Sequence, residues 1–136
     1  MEGLQSIKKI SEYHLSHGTT TLYPTTVTAK LEDTLEALKG LNNYLNLNKE
    51  ISNIDGIHLE GPFINPNKMG AQPPFAQLPS YSFIKTLIKE SPIKIMTLAP
   101  EIKGGLELID FLIKNDIKPQ IGYSLADYNC CILALE

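Results

Sequence analysis

The sequence predicts an α/β domain in which helices connect the strands of a parallel β-sheet. Helical and strand-like patterns alternate along the 136 residues, in the order α-β-α-β-α-β-α-β-α. The strand-like runs are short and apolar, which is typical of parallel strands that are buried on both faces. An open doubly wound sheet would be complete at this length, whereas a (β/α)8 barrel, which typically needs about 250 residues, would be about half present. Hydrophobic periodicity does not decide between these two architectures.

Five helices are predicted from apolar residues at spacings of three and four. The clearest pattern has leucines at 31, 35, 38, 41 and 45, all on one helical face. Residues 42–53 are rich in asparagine, and we expect them to be a connection. The predicted helices cover residues 1–15, 31–45, 82–89, 106–113 and 125–135.

Four strands are predicted between these helices, from short apolar runs that are bounded by turn-forming residues. They cover residues 19–23, 54–59, 93–98 and 117–121. A long segment, 61–80, follows the second strand and contains five prolines and two glycines. Loops of this length without secondary structure are uncommon and are usually functional or disordered.

The composition excludes several classes of function. The formal net charge is −3 and the longest basic cluster is Lys8-Lys9, so nucleic-acid binding is not expected. No apolar run is long enough to cross a membrane, and the first 20 residues lack the apolar core of a signal peptide. The two cysteines, Cys130 and Cys131, are adjacent and form neither a disulfide framework nor a metal motif. We therefore expect a cytoplasmic protein.

Polar residues at the predicted strand ends are the candidate functional groups. Glu60 and His58 share one face of the second strand, and Glu60 is followed at once by Gly61-Pro62. A carboxylate at this position is costly unless a cation or hydrogen bonds receive it, so Glu60 is equally consistent with a metal or substrate contact and with a structural anchor. A structural role is the simpler interpretation of His58. Glu101, ahead of a helix, is explained by the helix dipole.

Four motifs then resemble one known family, the N-acetylglucosamine-6-phosphate deacetylases of the amidohydrolase superfamily. The motifs are His17-Gly-Thr-Thr-Thr-Leu-Tyr-Pro-Thr, Gly56-Ile-His-Leu-Glu-Gly-Pro-Phe-Ile-Asn-Pro, Lys68-Met-Gly-Ala and Thr97-Leu-Ala-Pro-Glu. Their order and spacing resemble the family from His17 to about Tyr128. The second motif is long and specific, so the resemblance favours the barrel over the open sheet.

The resemblance implies that residues 1–136 are an incomplete amidohydrolase-type barrel, a partial (β/α)8 TIM barrel of about four parallel βα units. It implies a divalent metal, zinc or iron, that activates water for attack on the acetyl group of N-acetylglucosamine 6-phosphate, giving glucosamine 6-phosphate and acetate. By position, Glu60 resembles the metal-binding glutamate, and Ala71 and Gln72 resemble the substrate-binding pair. Relatives are expected to be homo-oligomers, and no catalytic residue is assigned.

The chain departs from this family at two functional positions. Gln72 and Tyr123 stand where the family pattern has histidines, and neither replaces an imidazole as a metal ligand or proton carrier. The family's segments before His17 and after about Tyr128 are also not matched. We therefore expect a truncated chain that is inactive alone. The alternatives are a non-catalytic remnant that binds sugar phosphate or a partner chain, and a pseudogene product. Open sheet edges predict self-association.

Overall fold

The computed structural model describes residues 4–48 and 53–136 as an α/β structure with one three-stranded parallel sheet. The strands lie in the order β1-β2-β3, and helices alternate with them along the chain. In chain order, the elements are α1 (Leu4–Ser16), α2 (Leu31–Leu47), β1 (Ile57–Glu60), α3 (Tyr81–Glu90), β2 (Ile93–Leu98), α4 (Gly105–Lys114), β3 (Lys118–Ile121) and α5 (Tyr128–Leu133). The prediction of an α/β domain with a parallel sheet is confirmed.

The register of the sheet aligns the carboxyl ends of the three strands, and this side of the sheet is called its carboxyl edge. Glu60 at the end of β1 pairs with Thr97 of β2, and Thr97 pairs with Gln120 of β3. The connections between these strands are the helical crossovers that parallel pairing requires. Side chains that follow the strands at this edge can therefore meet, even though they lie far apart in the sequence.

The strand predicted over residues 19–23 is wrong as a continuous strand. The segment instead makes two isolated parallel bridges beside β1, from Leu22 to Ile54 and from Thr25 to His58. Pro24 lies between the two bridges and has no N–H to donate to a ladder, which explains why the pairing is interrupted. The described residues therefore contain three strands of the four predicted, with an extended segment in place of the fourth.

The helix predictions are right in position and differ mainly at the ends. α2 continues through Leu47, into the segment predicted as a connection, because buried Tyr44 extends the apolar face that Leu38 and Leu41 begin. α5 is shorter than predicted and has no fully buried residue. Residues 1–3 of the first predicted helix and residues 49–52 of the predicted connection lie outside the described residues. No helix in the described part of the chain is long and apolar enough to cross a membrane.

Segment 61–80 is packed against the carboxyl edge of the sheet. The side chains of Phe63 and Ile64 are fully buried, and the Phe63 carbonyl accepts a hydrogen bond of 2.9 Å from the Ala99 N–H. The Gln77 N–H donates to the Pro62 carbonyl at 3.0 Å, which closes the segment on itself. The segment therefore holds its polar residues over the strand ends, as a functional loop would.

Candidate functional site

Glu60 lies at the point where β1 ends and the chain turns into segment 61–80. Gly61, directly after it, has a φ of +76°, a left-handed conformation that favours glycine. A Cβ atom at Gly61 would also collide with the hydroxyl oxygen of Thr28. The Glu60 backbone is held on both sides, since its N–H donates to Thr26 Oγ1 and its carbonyl accepts from Thr28 Oγ1, both at 3.3 Å. The position of the carboxylate is thus set by the backbone around it.

The Glu60 carboxylate is joined to Tyr123 and Gln72 by hydrogen bonds. The Tyr123 hydroxyl donates to Glu60 Oε1 at 2.6 Å, a short, charge-assisted hydrogen bond. Gln72 Nε2 donates to the same hydroxyl at 3.1 Å. The two residues that depart from the family pattern therefore contact each other, and one of them contacts the predicted metal ligand.

Gln72 is held at its other end by the segment before α2. Its Oε1 accepts a hydrogen bond of 2.7 Å from the Thr28 N–H. Ala71, the other predicted substrate-binding residue, is exposed beside it. Lys68 is also exposed and lies in solvent. The structure brings Gln72 to Glu60 through Tyr123, and it places Ala71 at the surface of the same loop.

His58 has a structural environment. One ring nitrogen, Nε2, lies 2.7 Å from Thr97 Oγ1, and the other, Nδ1, lies 3.1 Å from Thr25 Oγ1. Burial lowers the pKa of His58 below its usual value, and the nearby Glu60 carboxylate opposes this only in part. His58 therefore links β1 to β2 on one side, through Thr97, and to the extended segment that contains Thr25 on the other.

Glu101 forms a second polar cluster at the same edge of the sheet. Its carboxylate accepts hydrogen bonds from Ser124 Oγ at 2.6 Å, the Leu125 N–H at 2.6 Å and Asn65 Nδ2 at 2.8 Å. Burial acts to raise the pKa of Glu101, but these hydrogen bonds outweigh it, and the pKa lies below its usual value. The helix-dipole interpretation of Glu101 is wrong, because α4 begins only at Gly105.

The donors around Glu60 do not fit a zinc or iron site formed by these residues alone. A catalytic zinc site usually has three protein ligands, and no group of three or more His, Cys, Asp or Glu side chains is close enough within residues 4–48 and 53–136. Both nitrogens of His58 are engaged by threonines, and Tyr123 contributes a neutral hydroxyl. The assignment of Glu60 as a metal ligand stays a prediction.

Several residues of the two clusters were missed by the sequence analysis, namely Thr26, Thr28, Asn65 and Ser124. All four are small polar residues in the connections between predicted elements, and such residues are too common to single out. Asn65 was the one of the four that the sequence could have indicated, because it lies within the long second motif. In the structure it links segment 61–80 to Glu101.

Comparisons with known proteins give consistent neighbours. No protein-family model matches the chain. It is 34% identical over 128 residues to N-acetylglucosamine-6-phosphate deacetylase from Rattus norvegicus, and 28% identical over 125 residues to N-acetylgalactosamine-6-phosphate deacetylase from Escherichia coli O157:H7. Each alignment covers 90% of this chain, and 31% and 33% of the respective relatives. The described motifs thus lie within a region of sequence similarity that takes in most of the chain.

The fold is also similar to solved structures. A variant of N-acetyl-D-glucosamine-6-phosphate deacetylase from Mycobacterium smegmatis, in complex with N-acetyl-D-glucosamine-6-phosphate, superposes with a TM-score of 0.88 at 30% sequence identity. The superposition covers 96% of this chain and 34% of that protein. The chain therefore spans about a third of the length of the proteins it matches. The resemblance to N-acetylglucosamine-6-phosphate deacetylases is confirmed over that third.

Proposed function

We propose that this chain forms part of the sugar-binding face of a deacetylase that converts N-acetylglucosamine 6-phosphate to glucosamine 6-phosphate and acetate. The observation that carries the proposal is the meeting of Glu60, Gln72 and Tyr123 at the carboxyl edge of a parallel sheet. In (β/α)8 barrels, active sites are built at this edge from the loops that follow the strands. We take residues 1–136 to be one part of such a barrel, in keeping with the similarity of the chain to a third of known deacetylases.

The chemistry of segment 61–80 suits the acetamido group of the sugar. A glutamine amide carries two N–H donors, and Gln72 uses one of them for the Tyr123 hydroxyl. The second can donate to the acetyl carbonyl oxygen of the substrate. The Thr28 N–H fixes the amide by donating to its oxygen, so the orientation of the donor is set before the ligand arrives. We assign substrate contact to Gln72 and to exposed Ala71 beside it.

Binding without turnover is a second candidate function, for the 136-residue chain alone. The observation that favours it is the hydrogen bond from Tyr123 to Glu60, which engages one oxygen of the carboxylate that the resemblance assigns to the metal site. Gln72 carries no titratable proton, so it cannot serve as a general acid or base. We expect the chain to retain the acetylated sugar phosphate and to leave its amide bond intact.

The partners and location follow from this proposal. The small-molecule partner is N-acetylglucosamine 6-phosphate, and a divalent cation, zinc or iron, would bind only with ligands beyond those that these residues provide. A cytoplasmic location agrees with the two adjacent cysteines, which are not joined by a disulfide bond. A homo-oligomer is proposed by analogy with the expected assembly of relatives.

The proposal is tested by titrating the chain with N-acetylglucosamine 6-phosphate and following backbone amides by NMR. We expect shifts at Gln72 and Tyr123, and at least a fivefold loss of affinity in Gln72→Ala. Gln77→Ala, an exposed change in the same segment, is the matched control and is expected to bind normally. Equal affinity for glucose 6-phosphate, which lacks the acetamido group, would contradict the assignment. N-acetylgalactosamine 6-phosphate tests which epimer is preferred.

Turnover is tested separately by measuring acetate release in the presence of zinc. We expect no release from the 136-residue chain. Release that disappears in Glu60→Gln would show that the chain hydrolyses the substrate itself, and it would replace the second candidate function with the first.

A further inference from the structure

Tyr123 is held in an unusual backbone conformation that directs its side chain to Glu60. Its φ is +51°, in the left-handed region that bulky side chains rarely adopt. The Asn65 N–H donates to its carbonyl at 3.0 Å, which anchors this backbone to segment 61–80. Its ring passes close to Gly70, where a Cβ atom would lie 3.5 Å from the ring. Such conformations persist where the surrounding contacts impose them, and they often occur at functional sites.

Three successive hydrogen bonds lead from the Thr28 N–H through Gln72 and Tyr123 to the Glu60 carboxylate, and all three donate in the same direction. The Thr28 N–H can only donate, so the atom of Gln72 that it contacts must be the amide oxygen. Gln72 Nε2 is then the donor to the Tyr123 hydroxyl, and the proton of that hydroxyl points to Glu60 Oε1. We call these four groups, Thr28, Gln72, Tyr123 and Glu60, the polar chain. Each member is hydrogen-bonded to the next, and the series of hydrogen bonds ends at the Glu60 carboxylate.

We propose that the polar chain stabilises the Glu60 carboxylate in place of a cation, so that this site recognises its ligand without a bound metal. The inference rests on the proposed function, since it concerns the same site. The Tyr123 hydroxyl supplies the partner that the carboxylate needs in a half-buried place. A cation at Oε1 would have to displace this hydroxyl, and a cation at either oxygen would find no second carboxylate or unengaged imidazole among the described neighbours of Glu60.

The proposal predicts that imidazoles at the two departing positions create a metal site. Gln72→His/Tyr123→His places two neutral nitrogen ligands beside Glu60, giving the three protein ligands typical of zinc. Histidine is also among the residues that tolerate a positive φ better than tyrosine, so the change at 123 suits the backbone.

Zinc affinity is measured by competition with a chelating dye, with circular dichroism to check folding. We expect the wild-type chain and Glu60→Gln to bind zinc equally within twofold. The double-histidine variant should bind at least tenfold more tightly, and adding Glu60→Gln should remove the gain. Partly exposed His14 and exposed His17 are unchanged in every variant, so any zinc that they bind cancels in the comparison. A tenfold loss on Glu60→Gln in the wild-type chain, or a folded double variant without gain, would overturn the proposal.

Tyr123→Phe keeps the ring and gives a second measurement if the double variant does not fold. It removes only the hydroxyl that competes with the cation, and we expect a two- to threefold gain in zinc affinity that Glu60→Gln abolishes. An unchanged affinity would contradict the proposal. The sugar titration, repeated with EDTA, separates the two proposals. Sugar binding together with Glu60-dependent zinc binding defeats only this one, whereas the expected zinc pattern without sugar binding defeats only the proposed function.

Discussion

Two carboxylates at the same edge of the sheet have very different surroundings. Glu101 accepts three hydrogen bonds, two of them from the loop after β3 and one from segment 61–80. Glu60 accepts one, from Tyr123 to Oε1, and its second oxygen accepts none from the described residues. Glu101 therefore joins three loops and is fully engaged, whereas Glu60 keeps an oxygen available for a ligand.

The difference shows how a structural carboxylate is told from a candidate functional one. The donors of Glu101 come from a side-chain amide, a hydroxyl and a backbone N–H, which hold its charge without any other group. The Glu60 carboxylate depends on a single hydroxyl, and that hydroxyl belongs to a residue in a strained backbone conformation. We expect changes at Glu101 to alter mainly stability and changes at Glu60 to alter mainly binding.

The largest expected effect is the loss of stability in Glu101→Ala. Removal of the carboxylate leaves Asn65, Ser124 and the Leu125 N–H without their acceptor, and we expect a loss of about 2–3 kcal/mol in the free energy of unfolding. Urea denaturation followed by circular dichroism measures it. Glu107→Ala, an exposed acidic residue in the first turn of α4, is the control and should cost about 0.5 kcal/mol. Equal losses in the two variants would show that Glu101 does not join the loops.

A smaller effect is expected for Tyr123→Phe. The Glu60 carboxylate is half-buried, so water replaces part of the lost hydrogen bond, and we expect a loss of about 1 kcal/mol. The same denaturation experiment applies. Tyr128→Phe is the matched control, because Tyr128 is 77% exposed, and it should leave stability unchanged. A loss as large as that of Glu101→Ala would remove the distinction between the two carboxylates.

The smallest effect concerns the acid dependence of stability. Burial raises the pKa of Glu101, but the hydrogen bonds from Ser124, Leu125 and Asn65 lower the pKa by more than burial raises it. The pKa in the folded state therefore lies below the pKa in the unfolded state. Glu101 therefore contributes stability above its ordinary pKa of about 4.3, and this contribution is lost as the pH falls through the folded pKa. Urea midpoints measured from pH 6 downward should fall less steeply in Glu101→Gln than in wild type. Ser124→Ala should lie between them, and identical slopes in all three would refute the assignment.

Much of the fold was predictable because its hydrophobic pattern is local. β2 covers the predicted residues, since Ile93, Ile95, Met96 and Leu98 make it mostly apolar and Pro100 follows shortly after its end. The end of α2 was missed because asparagine disfavours a helix only slightly, while burial of Leu41 and Tyr44 stabilises it. The strand predicted over residues 19–23 failed because Pro24 interrupts pairing at a point that composition alone does not reveal.

The candidate site was predictable only in part. Glu60 and Gln72 were identified from motifs, and Tyr123 was identified as a departure from the family pattern. Their contact was not predictable, because the hydrogen bonds join residues 51 and 63 positions apart, and only the parallel register brings those loops together. Glu101 was misinterpreted for the same reason, since its donors come from other loops rather than from the helix that follows it.

The burial of Phe63 has a consequence for how mutations in this protein will present. Phe63 is wholly enclosed, packs edge-on against Phe83 at 5.5 Å, and lies in the segment that carries Gln72. A smaller side chain at Phe63 would let that segment shift, which moves the amide without touching the surface. We expect substitutions at interior positions of this kind to reduce ligand selectivity. A mutational screen that is limited to surface residues would miss them.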